Sequence, residues 1–421
     1  VGYAALTANT TGHSNVAVGA LALDANITGN ANTAAGYRAL LTNTTGYENT
    51  ASGTNSLKLN TTGIENSSFG SGALLSNTTG DYNTAVGRYA LYANTTADAN
   101  TSVGNGSLLD NTTGNNNVAL GKDSLANNTT AYSNVALGNQ SMITNTTGVN
   151  NTATGRYSLY ANTTASNNTA SGLQTLFANT TGSNNTAVGF QAGLAVTTSV
   201  ENTFIGSQAG LGHVTGGYNV ALGRSALVAA CTNENTAIGN QSLQNATAAS
   251  NTAIGSQSGL NLTSANGCVF LGRHAGITGS PGGNVTSANF ILVVGDDNIT
   301  NAHTQVDWTI ASDQRDKTDF TPLDLGLDFV KALAPVTYKW DKRSKYGDKT
   351  ADDYDLLDQT PDGTHKEDWL DLGFKAQEVE ALEQAAGYNK TNKTNLVSSH
   401  TDDGKQMGLQ YSKFVPILVK A

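Results

Sequence analysis

Along the first two thirds of the chain, apolar and polar positions recur every seventeen residues, as in NTAVGRYALYANTTADA from Asn83 to Ala99. A glycine marks each step, at Gly19, Gly36, Gly53, Gly70 and onward to Gly223. The step shortens to sixteen for Gly239 and Gly255, returns to seventeen for Gly272, and the register is lost by Gly295. Two residues before the glycine stands a small side chain (Ala17, Ala34, Ala51, Ser68, Ala85), with Phe204 and Phe270 as late exceptions. Three after it comes another small one (Ala22, Ala39, Ser56, Ala73, Ala90), and four after it Leu23, Leu40, Leu57 and so on to Leu125, then Met142. Asn precedes the glycine by four from Asn15 to Asn251, with Cys268 breaking the column. A second Asn opens each NTTG or NTTA turn, as at Asn43, Asn60, Asn77 and Asn94.

A unit with so few inward apolar positions cannot bury a core alone, whereas stacked copies cover one another's apolar faces. Segments such as NTAVG alternate, favour strand and are punctuated by Gly and Asn turns. Helix is disfavoured, because Gly, Asn and Thr are poor helix formers. The pattern predicts a mainly β fold: a repetitive β-solenoid shaft over residues 1–280, with each Asn amide bonding its copies in the coils above and below. Val1–Gly2 repeats Val18–Gly19, so the chain opens inside a repeat and further sequence is expected upstream.

Residues 281–311 read as an irregular β connector, and 312–421 as one small α+β domain. Apolar residues Leu325, Phe329, Val330 and Leu333 at helical spacing predict a helix over Leu323–Leu333 that Pro335 ends. A strand is expected at Val336–Trp340, a second helix at Lys375–Ala386 and a third within Tyr411–Ala421.

Charge separates the two regimes. Of 22 Lys and Arg only 7 precede residue 304, and of 32 Asp and Glu only 11 do. The net charge of −10 argues against a nucleic-acid partner, which wants clustered cations. No stretch approaches eighteen apolar residues, so no membrane insertion is expected. Two cysteines, Cys231 and Cys268, make neither a disulfide framework nor a metal-ligand spacing. No cofactor or metal is expected. Calcium-loading repeats need Asp at fixed positions, and Asp is nearly absent from the repeats. The recurrent Asn-x-Thr, as at Asn9 and Asn43, matches a glycosylation acceptor, but a turn and ladder requirement explains it more simply. Ice binding lacks a clean Thr-x-Thr face. Scattered acids such as Asp24, Glu48, Glu65 and Asp81 do not form the paired carboxylates of a glycan-cleaving groove.

The repeats resemble the β-roll heads of trimeric autotransporter adhesins, with a longer period, and the later units (Phe204–Gly223) resemble repeats of phage tail fibres. In the tail, SDQRDKTDFTPLDLGLDFVKALAPVTYKW, LGFKAQEVEAL (Leu372–Leu382) and YSKFVPILVKA (Tyr411–Ala421) together resemble the C-terminal intramolecular chaperone of endosialidase-type phage tailspikes and fibres. That resemblance implies a domain that trimerises, sets a β fibre in register and cuts itself off with a serine–lysine dyad. The matching residues are Ser312 and Lys317, with Asp313 and Arg315 in supporting structural roles. The family continues past VPILVKA into a further helical tail, where this sequence ends. A serine hydroxyl becomes nucleophilic when a neighbouring base takes its proton, and a desolvated lysine is such a base. Equally, Ser312–Asp313 would serve as a helix cap. The expectation is a homotrimeric virion tail fibre for attachment to a host-surface glycan or protein, or else a bacterial surface adhesin with the same chaperone. Self-cleavage at Ser312 is the one enzymatic activity implied, and residues 256–303, where the period breaks, are the expected specialised tip.

Overall fold

A computed structural model describes residues 1–299, 302–303, 312–348, 353–389, 397–401 and 403–421. It forms two compact units, Val1–Ser256 and Gln257–Ala421.

The first unit is a parallel β-solenoid. Fifteen three-residue strands run from β1 (Val16–Val18) to β15 (Thr252–Ile254), each paired in parallel with its neighbour within the unit. Register is one repeat per coil, so Ala34 lies against Ala17 and Ala51. The middle residue of each strand points inward and its neighbours outward, as the two-residue period of a strand requires. Ala34, Ala39 and Leu40 are fully buried in one coil, and their copies fill the same places in the coils that follow.

Two columns of asparagine run through that interior. The Asn43 side-chain amide donates to Asn26 Oδ1 at 2.9 Å and to the carbonyl of Gly46 in its own turn at 2.9 Å. Asn60 repeats both bonds onto Asn43 and Gly63 at 2.8 and 2.9 Å. In the other column, Asn32 Oδ1 accepts from the backbone N–H of Asn49 at 3.0 Å. The Asn49 amide then reaches the Gly63 carbonyl of the next coil at 2.8 Å. Within the column the amides are thereby paired, which matters because a buried polar group left alone costs about 1–3 kcal/mol, and Asn179 Oδ1 is left without a partner where the column breaks. Asn43 is wholly buried. No glycan fits on it, and the ladder reading of Asn-x-Thr holds.

The glycine column answers to backbone crowding. Gly36 has φ +144°, and a Cβ there would sit 2.4 Å from the carbonyl oxygen of Gly53 one coil on. Any side chain would force neighbouring coils apart.

The late exceptions are compensated volume changes. Phe204 replaces the usual small residue inside β12 (Thr203–Ile205) and is fully buried. Four residues after the coil's glycine, where earlier coils carry Leu, stands Gly210, and a Cβ there would meet the Phe204 ring at 2.6 Å. The preceding coil has Gly193 in the same column, with a Cβ position 3.0 Å from Phe204 Cδ2. In the same coils the turn asparagine of Asn179 gives way to Val196 and then His213. His213 is buried; its Nε2–H donates to the Gly216 carbonyl, leaving Nδ1 to accept from the Cys231 thiol at 3.2 Å. Burial holds the imidazole below its ordinary value and pushes the Cys231 thiol up to about 12.

The second unit begins with a solenoid coil of different length. β16 (Val269–Leu271) pairs in parallel with β17 (Leu292–Val294). Asn261 still donates to its stacked partner Asn284, at 2.8 Å across 23 residues, so the lost period is a longer loop within a coil. Beyond it lie α1 (Leu327–Ala332), β18 (Val336–Tyr338), β19 (Asp371–Gly373), α2 (Ala376–Ala385), β20 (Ser398–His400), β21 (Met407–Leu409) and α3 (Phe414–Lys420). β18 pairs antiparallel with β19, and β20 with β21. Leu325, Phe329, Val379, Val397, Phe414 and Ile417 form the core. α1 is shorter than the expected Leu323–Leu333: the chain turns helical only after Gly326, and Leu325 reaches the core from extended backbone. β18 ends at Tyr338, two residues short of Trp340. Pro416 sits in the first turn of α3, where a missing N–H costs nothing. The buried Glu383 carboxylate accepts from the backbone N–H groups of Val397 (2.6 Å) and Ser398 (3.2 Å), so a charge in the core is hydrogen-bonded by the start of β20.

Two outcomes follow. Phe204→Ala is expected to cost about 3–5 kcal/mol through the cavity it leaves. Gly210→Leu alone clashes with the ring, while the double variant recovers most of both losses, a coupling that urea-midpoint measurements on all four proteins will read. The lowered His213 value means that the unfolded chain takes up the proton first as pH falls. Its contribution is complete above about pH 6.5 and is lost below it. Against His213→Asn, the wild-type thermal midpoint should fall further between neutral and mildly acid pH. Parallel curves would show that His213 carries no such linkage.

Candidate functional site

Ser312 stands just ahead of a tight 3-10 turn at Gln314–Asp316. The Asp313 side chain caps that turn, accepting from the Arg315 backbone N–H at 2.9 Å. The turn closes with Lys317 N–H on the Gln314 carbonyl at 3.2 Å. Five residues of extended chain would span roughly 17 Å. The turn folds that distance away and places Lys317 Nζ 2.5 Å from Ser312 Oγ and 3.4 Å from the Ser312 carbonyl oxygen.

Asp313 and Arg315 face each other across the same turn. Arg315 Nε lies 3.1 Å from both Asp313 oxygens and Nη2 lies 2.5 Å from Oδ2, a fork of charge-assisted bonds. The Arg315 side chain and backbone N–H hold the Asp313 carboxyl below its usual range, and Asp313 in turn raises Arg315. Neither residue touches the Ser312 hydroxyl in any hydrogen bond of the structure, so their place is to hold the turn that brings serine and lysine together.

The four residues expected from the sequence therefore occupy one short turn, all of it exposed. The sequence spacing contained the pair but not the turn that closes it. What the pair can do chemically is set by water. A lysine takes a proton only in its neutral form, which loss of solvent favours. In the single chain both members stand in water, so enclosure would have to come from outside this segment.

Among the described residues, no group of three or more His, Cys, Asp or Glu is arranged to hold a metal ion. None of the described helices is long and apolar enough to cross a membrane. The connector strand-like stretch expected before Ser312 falls largely outside the described residues.

No curated protein and no solved structure matches the chain. One family model does, over residues 312–388, and its first matched residue is Ser312: the tail of this chain is similar to the chaperone of endosialidase.

Proposed function

We propose that the protein is a homotrimeric fibre, a virion tail fibre that attaches to a host surface, and that its C-terminal region drives assembly and then releases itself at Ser312. The observation that carries this reading is the chaperone match over residues 312–388 behind a solenoid of near-identical coils.

The physical need for a chaperone follows from the coil pairing. The strands of the first unit hydrogen-bond coil to coil within one chain. Covalent continuity fixes that register. Association between chains must then use side-chain faces, and these repeat every coil. The outer strand positions Val18, Phe69, Val86, Leu120, Val188 and Ile205 are exposed and apolar, a row suited to another copy. A slip by one coil would match almost as well as the correct alignment, so the backbone period alone does not specify it. A separately folded tail that joins three ends first supplies the missing reference.

Release is a serine acylation step. Lys317 in its neutral form takes the Ser312 Oγ proton while the oxygen attacks a backbone carbonyl beside it. The tetrahedral intermediate collapses with the peptide nitrogen leaving, and that nitrogen receives the proton from Lys317. Water then hydrolyses the resulting ester, so one peptide bond and one water give an acid and an amine. Assembly triggers the step by enclosing the dyad, since desolvation favours neutral lysine.

Uncut protein, read on Ser312→Ala, should sediment at three times the 43.3 kDa chain mass. After boiling, denaturing gels and intact mass of the wild type should show a fragment beginning at the Ser312 border. Ser312→Ala should stay whole, and so should Lys317→Arg, which keeps the charge but cannot surrender its proton. A monomeric wild type overturns the fibre assembly. A wild type that trimerises but stays whole withdraws the self-cleavage and leaves the tail as a permanent cap.

A further inference from the structure

We propose that two rows of opposite charge on the first unit join copies of this chain in parallel, the acidic row of one copy meeting the basic row of the next. This deepens the assembly reading by naming the surface and the direction of the partner copy, and rests on that reading for the number of copies. Both rows precede Ser312, so the contact outlasts release of the tail.

The rows follow from the coil. All four glutamates of the first unit, Glu48, Glu65, Glu201 and Glu234, stand five residues before a repeat glycine, and Asp81 and Asp98 stand six before one. Four of its six cations, Arg88, Lys122, Arg156 and Arg224, stand one residue after a repeat glycine. The strand lies between, its two outer positions three and one before the glycine. Positions four and two before the glycine are buried, as Asn49 and Ala51 show, and alternate with the outer ones as a two-residue period requires. The four glutamates and the four cations are all exposed. Acids therefore border the outward strand face on one side, and cations border it on the other.

Within one chain these charges are mostly left open. Among the described residues none of the four glutamates forms an ion pair, and of the four cations only Lys122 does, with Asp123 at 3.7 Å. Arg88 and Arg156 each lie 4.4 Å over the ring of the next residue, Tyr89 and Tyr157. Stacking of this kind orients a guanidinium and keeps N–H donors for a carboxylate. Tyr82 and Tyr218 stand in the acidic row itself, 55% and 54% exposed, and offer aromatic faces to a partner's arginines. Glu65 foremost holds the Tyr82 phenol above its ordinary value, a sign of how closely the acids gather there.

Symmetry sets the direction. When two copies bring their strand faces together in parallel, the basic edge of each falls on the acidic edge of the other. In a closed ring of parallel copies the same holds at every contact. Antiparallel faces instead put acid on acid and base on base. Exposed ion pairs are individually weak, so the rows choose the direction while the apolar strand positions supply the association. The levels agree as well. Arg88 shares its coil with Asp81, Lys122 lies one coil beyond Asp98, and Arg224 lies one coil from both Glu201 and Glu234, while Arg156 has no such acid. A slip of one coil keeps the rows apposed, so the final alignment still falls to the tail.

The test uses the full chain with Ser312→Ala, which keeps the tail attached, and with Val86→Cys as a reporter on the strand face. Both native cysteines are buried. A short bismaleimide then links two chains only where copies of residue 86 lie close, as in parallel copies near register. One variant adds Glu48→Lys, Glu65→Lys, Glu201→Lys and Glu234→Lys; a second adds Arg88→Glu, Lys122→Glu, Arg156→Glu and Arg224→Glu; a third carries both sets. On denaturing gels the linked dimer should form in the parent, fall about tenfold in each single-row variant at low salt, and return when both rows are reversed. Equal yields in the parent and the single-row variants overturn the proposal and leave the rows to a partner other than a copy. A loss that the double reversal does not restore also overturns it, because complementarity was then not the cause. Sedimentation of the same samples keeps the readings apart. A trimeric parent that does not link sinks this contact alone, whereas a monomeric parent sinks the assembly reading and this contact with it.

Discussion

The buried asparagine amide is the interaction on which the solenoid depends. A seventeen-residue coil is too small to enclose much hydrocarbon, so polar side chains must lie inside it, and a polar group inside must be paired. Asparagine meets this condition with one acceptor oxygen and two donor hydrogens on a short stem. Asn43 spends its donors on the preceding coil and its own turn, and its oxygen on Asn60. A coil at the end of such a stack lacks one partner, and so does Asn179 inside it, whose Oδ1 has no donor where Val196 interrupts the column. Stability in this arrangement comes from neighbour terms, as in other stacked repeats.

The later coils solve the same problem by other means. Where Asn179 is succeeded by Val196 and His213, the interior gains Phe204 and loses two leucines to Gly193 and Gly210. Hydrocarbon and a histidine–cysteine pair take over from the turn asparagines there, while the other asparagine column runs on through Asn202, Asn219 and Asn235. The backbone course hardly changes: Phe204 still lies between Ala187 and Ala221 in the strand register. Backbone pairing and interior filling are therefore separable, which lets single coils be altered without unravelling the stack.

The tail is organised by different forces. Its core is a compact set of larger apolar side chains around Phe329, Val379 and Phe414, and its buried Glu383 is neutralised in effect by backbone N–H groups. The Ser312–Lys317 pair, by contrast, lies in the open on a turn held by the Asp313–Arg315 fork.

The period, the strand positions, the inward alanines and the asparagine columns could all be read from the sequence, because each repeats and each answers to one local demand of the coil. The three helices of the tail and the strand at Val336 were legible too, to within a few residues, from apolar spacing and Pro335. Three things were not. The exchange of Leu for Gly around Phe204 joins residues in different coils, so only stacking reveals that Gly193 and Gly210 make room for one ring. The closure of Ser312 on Lys317 depends on a 3-10 turn that a five-residue spacing does not specify. β18 and β19 are far apart in the sequence, and only their pairing sets Asp371 opposite Tyr338. Local chemistry repeats along a chain and can be counted there; proximity between distant segments is decided by packing, and only the folded structure contains it.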